Sequence, residues 1–438
     1  MARSDDTIFA LSSGAGRSGV AVFRLSGARA HIIATAFCGE MDRIGQVYIR
    51  PVRDPETCDL IDKGVVFLFA GPASFTGEDM AEIQLHGSLA VIASLSDALS
   101  NQGIRPADAG EFTERAFRNG KLDLAQAEAL ADLIDAETIK QHKQSLGQLG
   151  GQLSEVGQRW RQHLIGCLAP LEAAIDFPDE AAIPAQIEAR ARPVIEQLIA
   201  ELQIFLDQSR KAQRVRKGVT IVLLGAPNAG KSSLLNWLAK SDIAIVSDTP
   251  GTTRDAIECR IELAGVPVTV IDTAGLRGAT DDAIEQEGIR RALAKAAKAD
   301  LRIGMVAADD PGGRDTIGEN LHAGDILLWN KNDLKPAAGL AISLKTGAGL
   351  ADFLVQLEAK VGALCGSGEE PALTRARHVY AVEAASMALN RSLDALQQGP
   401  EMAAQDIHIA IQSLGQITGD VGVEDVLGEI FASFCIGK

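Results

Sequence analysis

Eight residues near the middle of the chain, Gly225-Ala-Pro-Asn-Ala-Gly230-Lys231-Ser232, constrain its fold more than any other segment. They follow the apolar run Val219–Leu224 and precede an apolar-periodic stretch, an order that predicts a strand, a glycine-rich turn and a helix. In that context the backbone N–H groups and the helix dipole favour bound phosphate. Lys231 can neutralise phosphate oxygens, and the Ser232 hydroxyl can bind Mg²⁺. The segment therefore predicts a phosphate-binding loop within an α/β domain.

A second strand is predicted at Val268–Asp272, followed by Thr273, Ala274 and Gly275. Asp272 is placed to hold Mg²⁺ through water, and the Gly275 N–H to meet a γ-phosphate. These residues predict a nucleoside triphosphate as the ligand.

A third strand, Ile326–Asn330, continues into Lys331-Asn332-Asp333. An aspartate at this position accepts hydrogen bonds from the N1–H and 2-amino groups of guanine, and adenine offers no matching donor pair. Ser343-Leu344-Lys345 is then interpreted as the loop behind the base. Because the elements occur in the right order, the sequence predicts a GTPase.

The catalytic groups are less clearly marked. Thr253, between the phosphate loop and Asp272, is our choice to complete the Mg²⁺ shell. Leu276 stands where Ras-like enzymes carry the glutamine that orients water, so another residue must orient it. The acidic candidates each have an alternative role in complementing a helix dipole; they are Asp281, Asp282, Glu285 and Glu287.

Asn228 allows two interpretations, a ligand for a small cation beside the phosphates or an Asx-type turn. The residues expected to contact GTP are Asn228, Ala229, Gly230, Lys231, Ser232, Ser233, Ser247, Asp248, Thr249, Pro250, Gly251, Thr252, Thr253, Asp272, Thr273, Ala274, Gly275, Asn330, Lys331 and Asp333.

Four stretches outside these motifs resemble the MnmE (TrmE) family of tRNA-modification GTPases. They are the segment from Asp6 to Gly27 with its Gly16-Arg17-Ser-Gly19, Phe75-Thr-Gly-Glu78-Asp79 with Glu82 and His86, Gly110–Glu128, and the terminal Phe434-Cys435-Ile436-Gly437-Lys438. The resemblance covers essentially the whole chain. It implies an α/β and α multidomain protein with an N-terminal α+β tetrahydrofolate-binding-type domain, a helical domain and an inserted Ras-like P-loop G domain.

The resemblance also implies roles for particular residues. K⁺ would be held by Asn228, Ser247, Thr249 and Thr252, and Glu285 would orient the attacking water. Mg²⁺ would be bound by Ser232 and Thr253. Contacts to a 5-formyltetrahydrofolate one-carbon donor would come from Arg24, Glu82, Lys121 and Lys438.

The implied partners are a second copy of the chain, tRNA and the flavoprotein MnmG in a heterotetramer. Together they would install an aminomethyl or carboxymethylaminomethyl group at C5 of the wobble uridine, position 34. Cys435 is a candidate catalytic thiol, although no base that would lower its pKa is evident. His86 is expected to be a hydrogen-bonded histidine at a strand end rather than a catalytic group.

The net charge of −16 argues against strong RNA binding by this chain alone, which fits a protein that handles tRNA alongside a partner. We expect a cytoplasmic protein with no membrane span and with reduced thiols, because no long apolar run, signal peptide or Cys-x-x-Cys occurs. The alternative function is a ribosome- or RNA-assembly GTPase, but the basic RNA-binding module typical of that class is not visible.

The predicted domains are residues 1–121, a helical part 122–217, the G domain 218–366 and a second helical part 367–438. Short β-type runs are predicted at Val20–Leu25, Gly64–Phe69 and Met80–Leu85, with a helix at Leu89–Ser100. Helix breaks are expected at Asp176-Phe-Pro178 and at Arg192-Pro193. Helical period returns at Leu373–Leu396 and Asp406–Ile417.

Overall fold

A computed structural model describes residues 6–14, 16–176, 184–245, 258–272, 298–310, 320–421 and 424–432, with the single positions 312, 314, 317, 434 and 437. The chain divides into two compact units, residues 1–131 with 412–438, and residues 132–411.

The strands are β1 (Ile8–Leu11), β2 (Ser18–Ser26), β3 (Val47–Arg53), β4 (Leu60–Phe69), β5 (Met80–Gly87), β6 (Arg105–Pro106), β7 (Val219–Gly225), β8 (Glu258–Leu263), β9 (Val266–Asp272), β10 (Leu301–Ala307) and β11 (Ile326–Asn330). The helices are α1 (Ala30–Cys38), α2 (Leu89–Asn101), α3 (Glu111–Arg118), α4 (Leu124–Ile134), α5 (Ile139–Leu149), α6 (Gln152–Asp176), α7 (Pro184–Lys217), α8 (Lys231–Ala239), α9 (Leu350–Leu364), α10 (Ala376–Ala395), α11 (Pro400–Thr418) and α12 (Glu424–Ala432).

The first unit is built on a mixed sheet with the strand order β3-β4-β5-β2-β1-β6. Side chains alternate along β2, so that Phe23 and Leu25 are buried while Arg24 lies on the opposite face. One face of the sheet packs with α1 and α2 into an apolar core. The other face carries the partly exposed Arg24 and Glu82, which are directly paired across β2 and β5.

A buried ionic cluster closes this unit around Arg115 on α3, whose side chain is 9% exposed. Its guanidinium donates to Asp6 at 2.7 Å, to Glu78 at 3.1 Å and to Glu111 at 3.0 Å. Arg105 contacts two of the same carboxylates, Asp6 at 2.6 Å and Glu111 at 2.6 Å. Because the cluster joins residues far apart in the chain, it fixes α3 against the start of β1.

The second unit combines helices with a five-stranded sheet. Helix α7 packs along both α6 and α10, with Trp160 of α6 fully buried edge-on to Phe205 of α7. The sheet order is β11-β10-β7-β9-β8, and all of its pairings are parallel except the β8–β9 hairpin. Helices α8 and α9 contribute Leu234, Leu238 and Phe353 to the core of this sheet. The carboxyl ends of the parallel strands β7, β9, β10 and β11 therefore meet at one edge.

Most predicted elements are confirmed: β2, β4, β5 and α2 contain the four predicted segments of the N-terminal part. The break predicted at Asp176-Phe-Pro178 falls at residues 177 and 178, which lie outside the described residues. The break predicted at Arg192-Pro193 is wrong, because α7 continues through Pro193. Proline costs a helix one N–H bond and some strain. The buried neighbours Ala191 and Ile195 show that tertiary packing outweighs this cost here.

Within the part of the chain that the structure describes, every helix is too short or too polar to cross a membrane.

We expect Arg115→Met to lower the free energy of unfolding of the first unit by about 3 to 5 kcal/mol, because it takes the guanidinium away from Glu78 and leaves Asp6 and the buried Glu111 with Arg105 alone. Arg118→Met, on the same helix, removes an exposed pair with Glu114 and should cost less than about 1 kcal/mol. Native-state hydrogen exchange of β2 and β5 amides in the full-length protein measures both. Equal costs for the two variants would contradict a stabilising role for the cluster.

The same cluster predicts acid sensitivity. Burial acts to raise the pKa values of Asp6 and Glu111, but hydrogen bonds from Arg105 and Arg115 outweigh it and hold both below their ordinary range. Carboxyls with a depressed folded-state pKa stabilise above the unfolded pKa, and that stability is lost as pH falls through the folded pKa. The melting temperature of the first unit should therefore drop below about pH 4, and Asp6→Asn should show a shallower drop. A wild-type profile as shallow as that of Asp6→Asn would argue against this cause.

Candidate functional site

The phosphate-binding loop leaves β7 at Gly225 and enters α8 at Lys231, as predicted. Gly230 caps the helix with φ of 103°, in the left-handed region that favours glycine. A Cβ added at Gly230 would lie 2.1 Å from the Asn330 side-chain nitrogen. Any larger residue would therefore push the guanine-side strand away from the loop.

Lys231 is 4% exposed, which is unusual for a lysine. Its ammonium donates to the carbonyl oxygens of Gly225 at 2.8 Å and Ala226 at 2.9 Å. These contacts hold the positive charge against the loop, where a phosphate oxygen can accept from it.

Ser232 and Asp272 meet across the site. The Ser232 hydroxyl donates to the Asp272 carboxylate at 2.5 Å, and Asp272 is 1% exposed at the carboxyl end of β9. A hydroxyl and a carboxylate side by side form a hard-oxygen donor set that fits Mg²⁺. Residues 232 and 272 would hold the ion, directly and through water respectively, and the ion would supply charge neutralisation at the phosphates.

Asn330 joins the guanine side of the site to the phosphate side. Its side-chain NH₂ donates to the Ala229 carbonyl at 2.9 Å, and its side-chain oxygen accepts from the Leu344 N–H at 3.4 Å. One buried amide thereby fixes the phosphate loop, the end of β11 and the loop after Ser343.

Asp333 is held by Ser343, whose hydroxyl donates to the Asp333 carboxylate at 2.6 Å. That hydrogen bond is the main cause that lowers the pKa of Asp333. It also orients the carboxylate, whose oxygens can accept from guanine. Ser343 itself is 1% exposed. The sequence placed Ser343 behind the base but did not reveal this contact.

Lys331 precedes Asp333 with φ of 63°, and its ammonium lies 3.1 Å from both carboxylate oxygens of Asp309. Sequence reasoning missed Asp309, because a carboxylate two residues after β10 matches no spacing that the motifs define.

Asn228 is exposed with φ of 64°, a conformation that asparagine tolerates well, so the turn and cation-ligand interpretations both stay open. Ser233 is exposed on the first turn of α8. Several predicted site residues lie outside the described residues: Ser247, Asp248, Thr249, Pro250, Gly251, Thr252, Thr253, Thr273, Ala274, Gly275, Asp281, Asp282, Glu285, Glu287, Cys435 and Lys438.

The predicted folate residues form two separate sets of contacts in the first unit. The Arg24 guanidinium donates to Glu82 at 2.8 Å, and the Lys121 ammonium donates to the Pro72 carbonyl at 2.9 Å. His86 ends β5 and contacts the Asp62 carboxylate at 3.0 Å, which confirms the prediction of a hydrogen-bonded histidine at a strand end.

One sheet edge thus brings together a phosphate loop, the Ser232 and Asp272 oxygens that suit a cation, and Asp333, which suits guanine. These features define a guanine-nucleotide-binding protein of the P-loop class. Two family models match this chain, one before the site in sequence and one over a range that includes it. Residues 7–121 match the model of the GTP-binding protein TrmE N-terminus, and residues 124–435 match the MnmE helical domain.

Full-length relatives agree with the models. The chain is 47% identical over 437 residues to the tRNA modification GTPase MnmE of Maricaulis maris, covering 99% of each. It is 47% identical over 443 residues to the protein of that name from Parvibaculum lavamentivorans, covering 99% of this chain and 100% of that one. The chain therefore belongs to the MnmE family of tRNA modification GTPases. The predicted resemblance and fold class are confirmed.

Among solved structures, the G domain of the T. maritima FeoB iron transporter is similar with a TM-score of 0.24 and 23% identity. It covers 33% of this chain and 98% of its own. A score this low supports no inference about this chain.

We expect Ser343→Ala to weaken GDP binding about three- to tenfold, because Asp333 loses the hydrogen bond that orients it. Fluorescent-nucleotide titration measures this, and adenine nucleotides should stay unbound. Ser241→Ala is the matched control, since the Ser241 hydroxyl donates to the Leu238 carbonyl on α8, and within the described ranges it has no contact with the loops around Asp333 or Ser343. Unchanged GDP affinity in Ser343→Ala would show that the contact does not position Asp333.

Proposed function

We propose that this chain is a K⁺-dependent GTPase that acts in the cytoplasm with the flavoprotein MnmG on certain tRNAs. Its nucleotide cycle drives the addition of an aminomethyl or carboxymethylaminomethyl group to C5 of the wobble uridine. The observation that carries the proposal is the guanine-nucleotide site formed by the phosphate loop and Asp333 in a chain of this family. The predicted domain boundaries at 121, 217 and 366 belong to the same proposal.

Mg²⁺ is bound by Ser232 and Thr253, and K⁺ by Asn228 with Ser247, Thr249 and Thr252. K⁺ supplies the positive charge that an arginine supplies in other GTPases. Because Leu276 cannot orient water, Glu285 takes that role. The exposed Asn228 side chain beside the phosphate loop supports the K⁺ part of the assignment.

A homodimer formed through the first unit is supported by the outer face of its sheet. Edge strand β3 exposes Val47 at 57% and Ile49 at 68%, and these residues pair with Val65 and Phe67 on β4. Four apolar side chains adjacent on one open sheet face are costly to leave in water, and a second copy of the chain would cover them.

The one-carbon donor, of which 5-formyltetrahydrofolate is the analogue, is proposed to bind near the Arg24–Glu82 pair on this same sheet face. The guanidinium suits a carboxylate of the folate, and Glu82 can accept from ring N–H groups. Lys121 and Lys438 complete the proposed folate set, and Cys435 is a separate candidate for a catalytic thiol.

Nucleoside mass spectrometry of bulk tRNA tests the function. Deletion of the gene should remove C5-aminomethyl-type wobble uridines, and the intact gene should restore them. An unchanged nucleoside profile, in cells without a duplicate gene, would contradict the proposal and favour the assembly-factor alternative.

GTP turnover should be about tenfold faster or more in KCl than in NaCl at equal ionic strength, because only an ion of suitable size binds beside Asn228 and stabilises the transition-state charge. Steady-state phosphate release measures the effect. Asn228→Ala should abolish most of the difference between the two salts. Equal rates of the wild-type protein in both salts would rule out the K⁺ site.

A further inference from the structure

Helix α5 carries three buried glutamines on one face, an unusual composition for a helix interior. Gln141, Gln144 and Gln148 are between 4% and 8% exposed. Their spacing of three and four residues places them on a single side of the helix. Long polar side chains are seldom buried unless their hydrogen bonds are satisfied, so their partners show what the face is for.

Each glutamine donates its amide to a main-chain carbonyl beside the nucleotide-binding α/β part (β7–β11 with α8 and α9). Gln141 donates to Arg216 at 2.9 Å and Gln144 to Ala212 at 3.2 Å, both on α7, which leads into β7. Gln148 donates to Ala372 at 2.9 Å, on the segment that leaves α9. One face of α5 therefore holds both the entry to the α/β part and the exit from it.

The chain crosses into the α/β part at the end of α7 and out of it after α9. Side chains from these two crossings also bind one carboxylate. Asp132, 14% exposed, accepts from Arg216 at 2.8 Å and from Arg375 at 2.8 Å on the same oxygen. Arg216 belongs to the entry and Arg375 to the exit. The two crossings thus share one anion as well as one helix face.

The start of α5 also contacts the β8–β9 hairpin. The Arg260 guanidinium on β8 forms a bidentate pair with Glu137, with both N–O distances at 2.7 Å. At the hairpin turn, a Cβ added to Gly265 would lie 3.1 Å from the Lys140 side chain. Bidentate guanidinium–carboxylate pairs fix relative orientation as well as distance, so a movement of the hairpin moves Glu137.

Glu137 is connected to the entry crossing through Gln141. The Gln141 side-chain oxygen accepts from the main-chain N–H groups of Glu137 at 2.9 Å and Thr138 at 3.2 Å. Its NH₂ donates to the Arg216 carbonyl, as described above. An unbroken set of contacts thereby runs from Arg260 to the last turn of α7.

The hairpin lies between the two segments that sense nucleotide in GTPases. In sequence, β8 begins five residues after Thr253, and β9 ends at Asp272, three residues before Gly275. In GTPases, loops that contact the γ-phosphate are held by it and released on hydrolysis. Each strand of the hairpin is therefore continuous in sequence with a residue that is predicted to contact GTP.

We propose that α5 is the element that transmits the nucleotide state from the β8–β9 hairpin to the helices, with Glu137 and Arg260 as positioning residues. The inference rests on the proposed function in so far as GTP is the ligand. A displaced hairpin pulls Glu137, the cap of α5 and the Arg216 carbonyl together, and the helices repack through the shared Asp132.

Hydrogen-exchange mass spectrometry of the full-length protein tests the proposal, with GDP or a non-hydrolysable GTP analogue in KCl. Exchange in residues 135–149 should differ about fivefold or more between the two nucleotides, within the range of ordinary allosteric coupling. Glu137→Gln should reduce that difference by at least about half while nucleotide affinity stays unchanged. The double variant Glu137→Arg with Arg260→Glu should restore it.

Glu201→Gln is the control, because Arg159–Glu201 is also an arginine–glutamate pair and has similar exposure, 50% and 27% against 45% and 30% for Arg260–Glu137, although its contact is through a single nitrogen. It joins α6 to α7 away from the hairpin and should leave the difference intact. Identical exchange with both nucleotides in the wild-type protein would overturn the proposal, as would a full difference in Glu137→Gln. Two results together would support the role of α5 and reject the tRNA function. The exchange difference would be lost in the purified Glu137→Gln protein, and deletion of the gene would leave the tRNA nucleosides of the cells unchanged.

Discussion

The hydrogen bond from Asn330 to the Ala229 carbonyl is the contact on which the nucleotide site depends. It requires a glycine at 230, because a side chain there would occupy the position of the Asn330 amide. It also aligns the end of β11 with the phosphate loop, so the groups that recognise guanine and phosphate keep a fixed separation. A rigid spacing of this kind lets the site distinguish nucleotides by base without losing phosphate affinity.

An inserted α/β part creates a second physical problem, since the two chain crossings that lead into it and out of it must be stabilised. Val215 and Cys365 join the apolar core of the α/β part at these crossings. Polar contacts add to this: the α5 glutamines bind main-chain carbonyls, and Asp132 binds one arginine from each crossing. Hydrogen bonds to carbonyls keep their geometry while side chains around them change. They can also shift as a set, unlike a close-packed apolar core, which resists small displacements. For this reason, a connection made of hydrogen bonds and ion pairs suits an α/β part that is proposed to move with the bound nucleotide.

Much of the nucleotide site follows from sequence because its parts are local. Gly230, Lys231 and Ser232 are adjacent, and Asp272 and Asn330 each end an apolar strand that periodicity reveals. The contacts that position them join residues distant in sequence and were not predicted, as with Ser343 on Asp333 and Asp309 on Lys331. Gln141, Gln144 and Gln148 match the pattern of an exposed helix face, so their burial could not be inferred. At Pro193 the sequence predicted a helix break that does not occur. Local rules favour a break at proline, but packing around Ile195 keeps the helix continuous. Edge strand β3 was missed because its apolar residues do not form a continuous run.

The central claim is that the nucleotide bound beside Asp333 drives the modification of tRNA. Asp333→Asn replaces an acceptor pair by one acceptor and one donor, which matches the N1–H and the 2-oxo group of xanthine instead of guanine. Reconstituted wobble-uridine modification with the proposed flavoprotein partner should be measured with GTP and with XTP. The account predicts that GTP supports only the wild-type chain and XTP only the variant. Modification by Asp333→Asn that proceeds equally with GTP, or that XTP fails to restore although XTP binds, would contradict it.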